Sequence, residues 1–291
     1  MGRNTGKKKI KLSVFVRIRV DKETMDQEKQ LDALVERVVA GQKYRHISRD
    51  LIRGVGAREL AIRRNLKEAV KATKNKLHQI GGAYFEAAID YDRALAELRA
   101  TRDDPAAFRR TCGDIMGRHA STRERLAIVD DFYNVVLANL ADIRVVIDVA
   151  CGLNPLALPW MPFGGQIEYV AYDIYTDMIG FIGEFFKIVG VPGRAEVRDV
   201  IGNPPARAAD LALILKTLPC LEQVDKTAAS RLIDAIQARY LLISYPARSL
   251  GGRGKGMVEN YEAHFWQLAG GRNWTVQRFE FATELAFLVQ L

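Results

Sequence analysis

The sequence lacks most features that mark secreted, membrane-bound or metal-binding proteins. Its three cysteines, Cys112, Cys151 and Cys220, are an odd number and lie far apart, so we expect neither a disulfide framework nor a metal site. No apolar run approaches the ~18 residues of a membrane span. Arg17 and Arg19 interrupt the only apolar stretch of the basic N-terminus, which therefore lacks a signal-peptide core. These absences predict a protein of the reducing cytoplasm.

Residues 144–155 also lack the glycine pattern of a nicotinamide-binding strand. Their sequence, RVVIDVACGLNP, leads apolar and β-branched residues into one glycine, Gly152, whereas that fingerprint needs G-x-G-x-x-G. The run predicts a buried parallel strand that ends in a sharp turn. A ligand can approach a glycine backbone closely, and open α/β sheets bind ligands at this edge. The pattern fits an S-adenosylmethionine-binding strand of a class I methyltransferase, with a plain core strand as the alternative.

Strands and helices alternate from Arg144 onward, which predicts an α/β fold. Strands are predicted at 144–150, 167–173, 194–199, 210–216 and 239–245, helices at 176–189, 221–238 and 257–270, and two closing strands at 274–281 and 284–290. Five alternating strands followed by a hairpin match the Rossmann-like, seven-stranded sheet of class I methyltransferases, whose last strand is antiparallel. Right-handed crossovers would place the turns after the first four strands on one edge.

The charge is concentrated at the N-terminus. Residues 1–80 hold 21 Lys and Arg against 9 Asp and Glu, whereas the remaining 211 residues hold 22 against 26. We therefore expect a basic appendage at 1–24, an all-helical domain at 25–117 that binds a polyanion, and the α/β domain at 118–291. Within the helical domain, helices are predicted at 26–40, after Ser48, at 57–77 and at 83–100, and a further helical stretch is predicted from a turn at 103–105 to about Met116.

The predicted helix at 57–77 carries two stripes. Ile62, Leu66 and Leu77 belong to an apolar stripe. A neighbouring basic stripe can neutralise successive phosphates of RNA, although a solvated face is the alternative. The predicted RNA-binding residues are Arg63, Lys67, Lys71 and Lys74, which form this stripe, and Arg64, which lies near it.

Four segments together resemble the aminoglycoside-resistance 16S ribosomal RNA methyltransferases. They are HASTRER at 119–125, ACGLNPL at 150–156, KTLPCLE at 216–222 and SLGGRGKGM at 249–257. The resemblance covers roughly residues 26–291 and is to the branch that methylates N7 of guanine 1405 in the decoding site. It implies S-adenosylmethionine as cofactor, 16S rRNA in the assembled 30S subunit as substrate, and a helical domain for RNA docking. We expect a monomer that needs no metal and no membrane.

The cofactor site is expected at the strand ends. Asp173 ends the second strand, 21 residues after Gly152, where a carboxylate can accept from both ribose hydroxyls. Asp199 ends the third strand and can accept from the adenine amino group, although either aspartate could instead cap a helix. Ser121 and Glu124 have the spacing of a capping box, and Arg125 can hold the methionine carboxylate. By resemblance, the cofactor-binding residues are Arg125, Ala150, Cys151, Gly152, Asp173, Asp199, Val200 and Leu215.

Substrate contacts are expected beside this site. Lys216 and Thr217 follow the fourth strand, where methyltransferases place substrate-facing residues. Arg253 and Lys255 lie in a glycine-rich loop that can contact RNA phosphates, with a flexible crossover loop as the alternative. Guanine N7 has a lone pair and no proton, so we expect no general base. We also expect removal of residues 1–80 to leave the cofactor site intact.

Two other functions are open. Pro219-Cys220 resembles the nucleophile motif of cytosine-C5 methyltransferases, in which a cysteine adds to the ring. A non-catalytic RNA-binding protein with a methyltransferase fold is the third hypothesis. The presence of Arg125, Asp173 and Asp199 argues against that third hypothesis, because a protein without catalysis does not need a cofactor site.

Overall fold

In the computed structural model, the first described residues form a small bundle of helices. The structure describes residues 24–82, 89–163, 165–247 and 256–291. Nearly all of the expected appendage, together with Arg253 and Lys255, lies outside the described residues. The bundle contains α1 (24–39), α2 (Arg49–Ile62) and α3 (Leu66–Leu77). We call residues 24–82 the helical module and residues 89–291 the sheet body.

The prediction of one helix across 57–77 is wrong. Helix α2 ends at Ile62, and Arg63 has an extended backbone, with φ −100° and ψ 151°. Asn65 then caps α3, because its side-chain oxygen accepts a hydrogen bond from the Glu68 backbone N–H at 3.0 Å. The change of direction leaves Ile62 70% exposed, although the predicted apolar stripe includes it.

One mixed sheet of seven strands forms the centre of the sheet body. Its strands are β1 (Val145–Val149), β2 (Glu168–Asp173), β3 (Gly193–Val197), β4 (Ala209–Leu215), β5 (Ala238–Pro246), β6 (Thr275–Glu280) and β7 (Glu284–Gln290). Their order is β3-β2-β1-β4-β5-β7-β6. The first five strands run parallel, and β7 lies antiparallel between β5 and β6. The predicted class I methyltransferase fold is confirmed, and the strand order reverses between β1 and β4, where such sheets bind ligands.

Helices cover both faces of the sheet. One face packs mainly against α4 (Tyr91–Thr101), α5 (Pro105–Met116), α7 (Val129–Leu137) and α8 (Thr176–Val189), with α6 (Ala120–Leu126) between α5 and α7. The other face packs against α9 (Leu218–Glu222), α10 (Ala228–Ala235) and α11 (Met257–Ala269). Neighbouring β1 residues therefore enter different cores, Val146 the first and Ile147 the second. This two-sided burial explains why β1 is a nearly unbroken apolar run.

Two predicted helix boundaries in the sheet body are wrong. The expected helix at 221–238 is split into α9 and α10, because the Asp225 carboxylate accepts from the Thr227 backbone N–H and begins a new turn. Helix α6 begins after His119, so Ser121 lies inside the helix and the expected capping box does not form.

The hydrophobic cores divide the chain earlier than residue 117. The helical module has its own core, built around Leu34, Leu51 and Ile52. Residues of α4 and α5, such as Leu98 and Phe108, belong instead to the core beneath the sheet. The change from one core to the other therefore falls between Ile80 and Ala94.

Candidate functional site

A cavity lies at the carboxyl ends of β1, β2 and β4. About 870 Å³ of space lies between its lining atoms, part of it open to solvent. The lining includes every residue predicted for cofactor or substrate contact in the sheet body that the structure describes: Arg125, Ala150, Cys151, Gly152, Asp173, Asp199, Val200, Leu215, Lys216 and Thr217.

The turn after β1 brings backbone to the cavity surface. Ala150 and Gly152 have φ of +52° and +53°, and the Cys151 N–H donates to the Tyr172 carbonyl at 2.9 Å. A Cβ on Gly152 would lie 2.9 Å from Cε1 of His119, so only glycine fits. Burial, then the charges of Arg125 and Lys216, lowers the pKa of His119 to about 4. A ligand can therefore approach the backbone of this turn closely, beside the neutral imidazole ring of His119.

Asp173 is held rigidly at the end of β2. Its Oδ2 accepts from the Gly152 N–H at 2.9 Å, and its Oδ1 accepts from the Ile174 N–H at 2.7 Å. Burial raises the pKa of Asp173 above its ordinary value, and these two N–H groups oppose that shift. The Tyr175 backbone N–H also stabilises the charged carboxylate, and a carboxylate has about four acceptor sites, so capacity remains for a hydroxyl group of a ligand. The side chain therefore fits the expected contact with the ribose hydroxyls.

Asp199 lies just beyond β3. The strand ends at Val197, two residues earlier than predicted. Oδ1 of Asp199 accepts from the Ile201 N–H at 3.0 Å, which also makes the aspartate the cap of a turn. Its Oδ2 faces α2, because a Cβ on Gly54 would lie 3.7 Å from that oxygen. The local capping role and the predicted contact with an adenine amino group are thus compatible.

Arg125 belongs to a buried polar network. Its Nε and Nη2 donate to the two oxygens of Glu284 at 3.0 and 2.7 Å, and its Nη1 donates to Oδ1 of Asn154 at 2.8 Å. Burial alone would raise the pKa of Glu284, but the charges of Arg125 and Lys216 outweigh it and lower that pKa. The hydrogen bonds occupy three of the five guanidinium N–H groups. The guanidinium group of Arg125 is thus fixed beside the cavity, and its two other N–H groups can donate to a ligand.

The network continues into the sheet through Asn154. The Asn154 amide donates to Oδ2 of Asp148 at 2.9 Å, and the Tyr169 hydroxyl donates to the same oxygen at 2.7 Å. Burial raises the pKa of Asp148 to about 7. The position of Arg125 is therefore tied to the middle of β1 and β2 as well as to β7.

Lys216 and Thr217 point their polar ends into the protein. The Lys216 ammonium lies 2.8 Å from Glu124 and 3.5 Å from Glu284. The backbone of Lys216 has a φ of +59°. The Thr217 hydroxyl lies 3.2 Å from the Val149 carbonyl oxygen. Both residues line the cavity, but these contacts give their polar groups structural roles. Their contact with substrate stays a prediction.

Sequence reasoning missed several residues that line or support the cavity. His119 and Asn154 fall inside the segments that carry the family resemblance, but their residue types alone indicate no role. Glu284 had no local signal, because its partner Arg125 is 159 positions away. The helical module contributes Leu51, Ile80 and Gly81 to the lining. This lining speaks against the expectation that removal of residues 1–80 leaves the cofactor site intact, which stays a prediction.

The basic residues of the helical module do not form one stripe. Arg63 lies between α2 and α3 and pairs with Glu59 at 2.9 Å. Lys74 lies with its ammonium 5.6 Å from the ring centre of Tyr44. Besides Arg63, the exposed basic residues in and before α3 are Arg64, Lys67 and Lys71. On α2, by contrast, Arg49 pairs with Glu36 and Arg53 with Asp32, both acids of α1. The uncompensated positive surface is therefore centred on α3.

The described ranges hold neither a metal-binding cluster nor a membrane-spanning helix. Within residues 24–82, 89–163, 165–247 and 256–291, no group of three or more His, Cys, Asp and Glu side chains is arranged to hold a metal ion. Over the same ranges, no helix combines the length and apolar character needed to cross a bilayer.

The chain is similar to known proteins along most of its length. It is 39% identical to a 16S rRNA (guanine(1405)-N(7))-methyltransferase of Frankia casuarinae, over 91% of this chain and 95% of that protein. A protein of the same name from Micromonospora echinospora is 34% identical, over 90% and 97%. Among solved structures, the 16S rRNA methyltransferase RmtF in complex with S-adenosyl-L-homocysteine superposes with a TM-score of 0.78, at 32% identity, over 90% of this chain and 98% of that chain.

A family model also matches across both parts of the chain. It describes the ribosomal RNA methyltransferase FmrO and matches residues 40–288, which include most of the helical module and nearly all of the sheet body. The match therefore covers the cavity and all the elements that line it. The chain accordingly belongs to the FmrO family of ribosomal RNA methyltransferases.

Proposed function

We propose that this protein transfers a methyl group from S-adenosylmethionine to N7 of guanine 1405 of 16S rRNA in the 30S subunit and so confers aminoglycoside resistance. The observation that carries the proposal is the cavity, which brings Arg125, Gly152, Asp173 and Asp199 to one sheet edge. Relatives named for this reaction, and a similar structure in complex with S-adenosyl-L-homocysteine, support it.

The residues of the cavity match the parts of this cofactor. Asp173 would accept from the ribose hydroxyls, Asp199 from the adenine amino group, and Arg125 would donate to the methionine carboxylate. The backbone turn at Gly152 allows close approach. S-adenosylmethionine supplies an electrophilic methyl group when bound.

The protein's own contribution is positioning. Guanine N7 has an available lone pair, so the reaction needs no proton transfer to a side chain. His119 fits this view, because burial lowers its pKa to about 4 and makes it a poor base at neutral pH. The paired charges of Arg125, Glu284 and Lys216 are fixed before any ligand binds, which limits reorganisation. Rate enhancement would therefore come from orientation and exclusion of water.

The proposed partner is 16S rRNA in the assembled 30S subunit. The positive surface around Lys67 and Lys71 supports phosphate contact by the helical module. We propose that the protein acts as a cytoplasmic monomer and requires no metal ion.

Primer extension tests the target base. The protein and S-adenosylmethionine would be incubated with 30S subunits, and the extracted rRNA would be treated with borohydride and aniline. We expect one strand break at guanine 1405 and none when the cofactor is omitted. Incorporation of labelled methyl without that break would refute the proposed position. No incorporation at all would favour the non-catalytic hypothesis.

Cys220 tests the cytosine-C5 alternative. It lines the cavity, with its Sγ 3.7 Å from the Lys216 carbonyl oxygen, so its position alone does not exclude a nucleophile. We expect Cys220→Ala to retain methyl transfer to 30S subunits, because N7 attack needs no protein nucleophile. Complete loss of turnover by a folded variant that still binds S-adenosylhomocysteine would support the cytosine mechanism instead.

A further inference from the structure

The helical module forms part of the same cavity as the strand ends. Leu51 of α2, with Ile80 and Gly81 after α3, lines the space beside Asp173 and Asp199. Leu51 is 1% exposed, so its side chain is enclosed between the module core and the cavity. A module that served RNA docking alone would not need to supply a side of this cavity.

The contacts around these residues are close. A Cβ on Gly81 would clash with the Tyr175 hydroxyl oxygen, so this backbone packs directly on Tyr175. Gly54 approaches the other end of the cavity, where its Cβ would lie 3.7 Å from Oδ2 of Asp199. The module therefore packs on Tyr175, which follows Asp173 at the end of β2, and approaches Asp199, which lies just beyond β3.

Backbone hydrogen bonds fix the module to the segment that follows Asp173. The Ser48 N–H donates to the Ile174 carbonyl, and the Thr176 N–H donates to the His46 carbonyl, each at 2.7 Å. These bonds form an antiparallel bridge between Ile47 and Tyr175. The Ile174 N–H donates in turn to Oδ1 of Asp173. Movement of the module would therefore disturb the carboxylate as well as the lining.

We propose that the helical module is itself a cofactor-binding element, in which Leu51 contacts the adenosine part of the cofactor, and that cofactor binding and rRNA docking are consequently linked. The inference rests on the proposed function for the identity of the two ligands. The module carries the basic surface on α3 and also one side of the cavity, so a position favoured by one ligand affects the other. Linkage requires that each ligand changes the affinity for the other by the same factor.

A matched pair of leucines tests the contact. Leu51 and Leu34 are both buried in the module core, at 1% and 0% exposed, but Leu34 does not line the cavity. Calorimetry with S-adenosylhomocysteine would compare the full-length parent, Leu51→Ala and Leu34→Ala, after circular dichroism has checked their folding. We expect Leu51→Ala to weaken binding roughly fivefold or more, as loss of a buried apolar contact should. Leu34→Ala should remain close to the parent.

Two outcomes would overturn the contact. Unchanged affinity in Leu51→Ala would remove Leu51 from the cofactor site. Equal losses in both variants would assign the effect to loosening of the module as a whole. If either alanine variant fails to fold, Leu51→Val and Leu34→Val provide the same comparison with a smaller truncation. Leu51→Met, which conserves volume, should restore the parent affinity.

The linkage is tested separately with 30S subunits. The affinity of the parent for 30S subunits would be measured with and without S-adenosylhomocysteine, and we expect this cofactor product to change it. In Leu51→Ala, the ratio of the affinities with and without S-adenosylhomocysteine should be closer to one than in the parent. A ratio of one in a parent that binds both ligands would refute the linkage. Because the calorimetric test contains no RNA, failure of 30S binding would refute the proposed function without deciding the Leu51 contact.

Discussion

The helical module and the sheet body use charged residues in opposite ways. The module has 13 Lys and Arg against 7 Asp and Glu over residues 24–82, and nearly all of them lie on its surface. Most of its ion pairs, such as Arg49–Glu36, join exposed side chains, although the Glu59 partner of Arg63 is buried. The sheet body instead encloses Arg125 and Glu284, at 1% and 0% exposed, beside Lys216 and the cavity.

This difference corresponds to two roles of charge. Exposed charges attract a polyanion from a distance, whereas buried charges hold neighbouring groups in a fixed geometry. Exposed charges are screened by salt but extend their field to a polyanion before contact. Buried charges attract each other strongly, yet removing one leaves its partners uncompensated in a poorly solvated site. The module is therefore suited to bringing RNA to the protein, and the network of the sheet body is suited to holding a ligand in one orientation.

The largest expected effect is on stability. Glu284→Gln removes the negative charge between Arg125 and Lys216, and we expect it to cost about 3–5 kcal/mol of unfolding free energy. The matched change in the module, Glu36→Gln, removes an exposed partner of Arg49 and should cost about 0–1 kcal/mol. Urea unfolding followed by circular dichroism measures both. Equal costs would mean that the contrast between the two regions is wrong.

The pH dependence sharpens that measurement. The folded-state pKa of Glu284 is lowered, so its contribution to stability is complete above the ordinary pKa of 4.5 and is lost as the pH falls through the folded-state pKa. The difference in stability between the parent and Glu284→Gln should therefore be largest near neutral pH and shrink below about pH 4.5. A difference that stays constant into acid would contradict the ionised pair.

The next effect is on cofactor affinity. Asp173→Asn removes the charge that would accept the ribose hydroxyls, and we expect S-adenosylhomocysteine to bind roughly ten- to a hundredfold more weakly, or about 1.5–3 kcal/mol. Some stability should also be lost, since the carboxylate accepts the N–H groups of Gly152 and Ile174. Asp177→Asn is the control, because that carboxylate also accepts a backbone N–H but does not line the cavity. Equal affinities in the two variants would remove Asp173 from the site.

The burial of each element decides whether it could be predicted from the sequence. Strands buried on both faces are continuous apolar runs, so β1, β4 and β5 were located within a few residues. The strand-end residues were then predictable as a group, because parallel strands end at one edge. The break at 63–65 was missed because apolar spacing continues through it. Its available signal was Asn65 followed by Glu68, a capping pattern.

Contacts between distant segments could not be predicted from the sequence. The Arg125–Glu284 pair joins residues 159 positions apart, and an isolated glutamate at the start of a strand has no pattern of its own. The packing of Leu51 beside the cavity was hidden for the same reason, since helical periodicity shows only that one face is buried. It does not show what lies against that face.

The smallest changes concern the exposed lysines of α3. Lys67 and Lys71 are exposed on α3, and only one acid, Glu68, lies in the first turn of that helix. Charge reversal of both lysines should weaken 30S binding and flatten its salt dependence. The expected change is about 0.7–0.9 units of log–log slope for each phosphate that the variant no longer neutralises.

A matched variant makes this surface test specific. Lys187→Glu with Lys226→Glu applies the same change of net charge to exposed positions of the sheet body. If α3 contacts phosphates, reversal of Lys67 and Lys71 should lower both the affinity and the salt slope, whereas reversal of Lys187 and Lys226 should leave the salt slope of the parent unchanged. The reason is that general attraction depends on net charge, whereas counterion release depends on contact with phosphates. Binding would be measured at several salt concentrations, with S-adenosylhomocysteine affinity as the check that the cavity is intact. Identical slopes for the two variants would show that α3 is only a solvated face, and RNA docking would then have to be assigned to another surface of the protein.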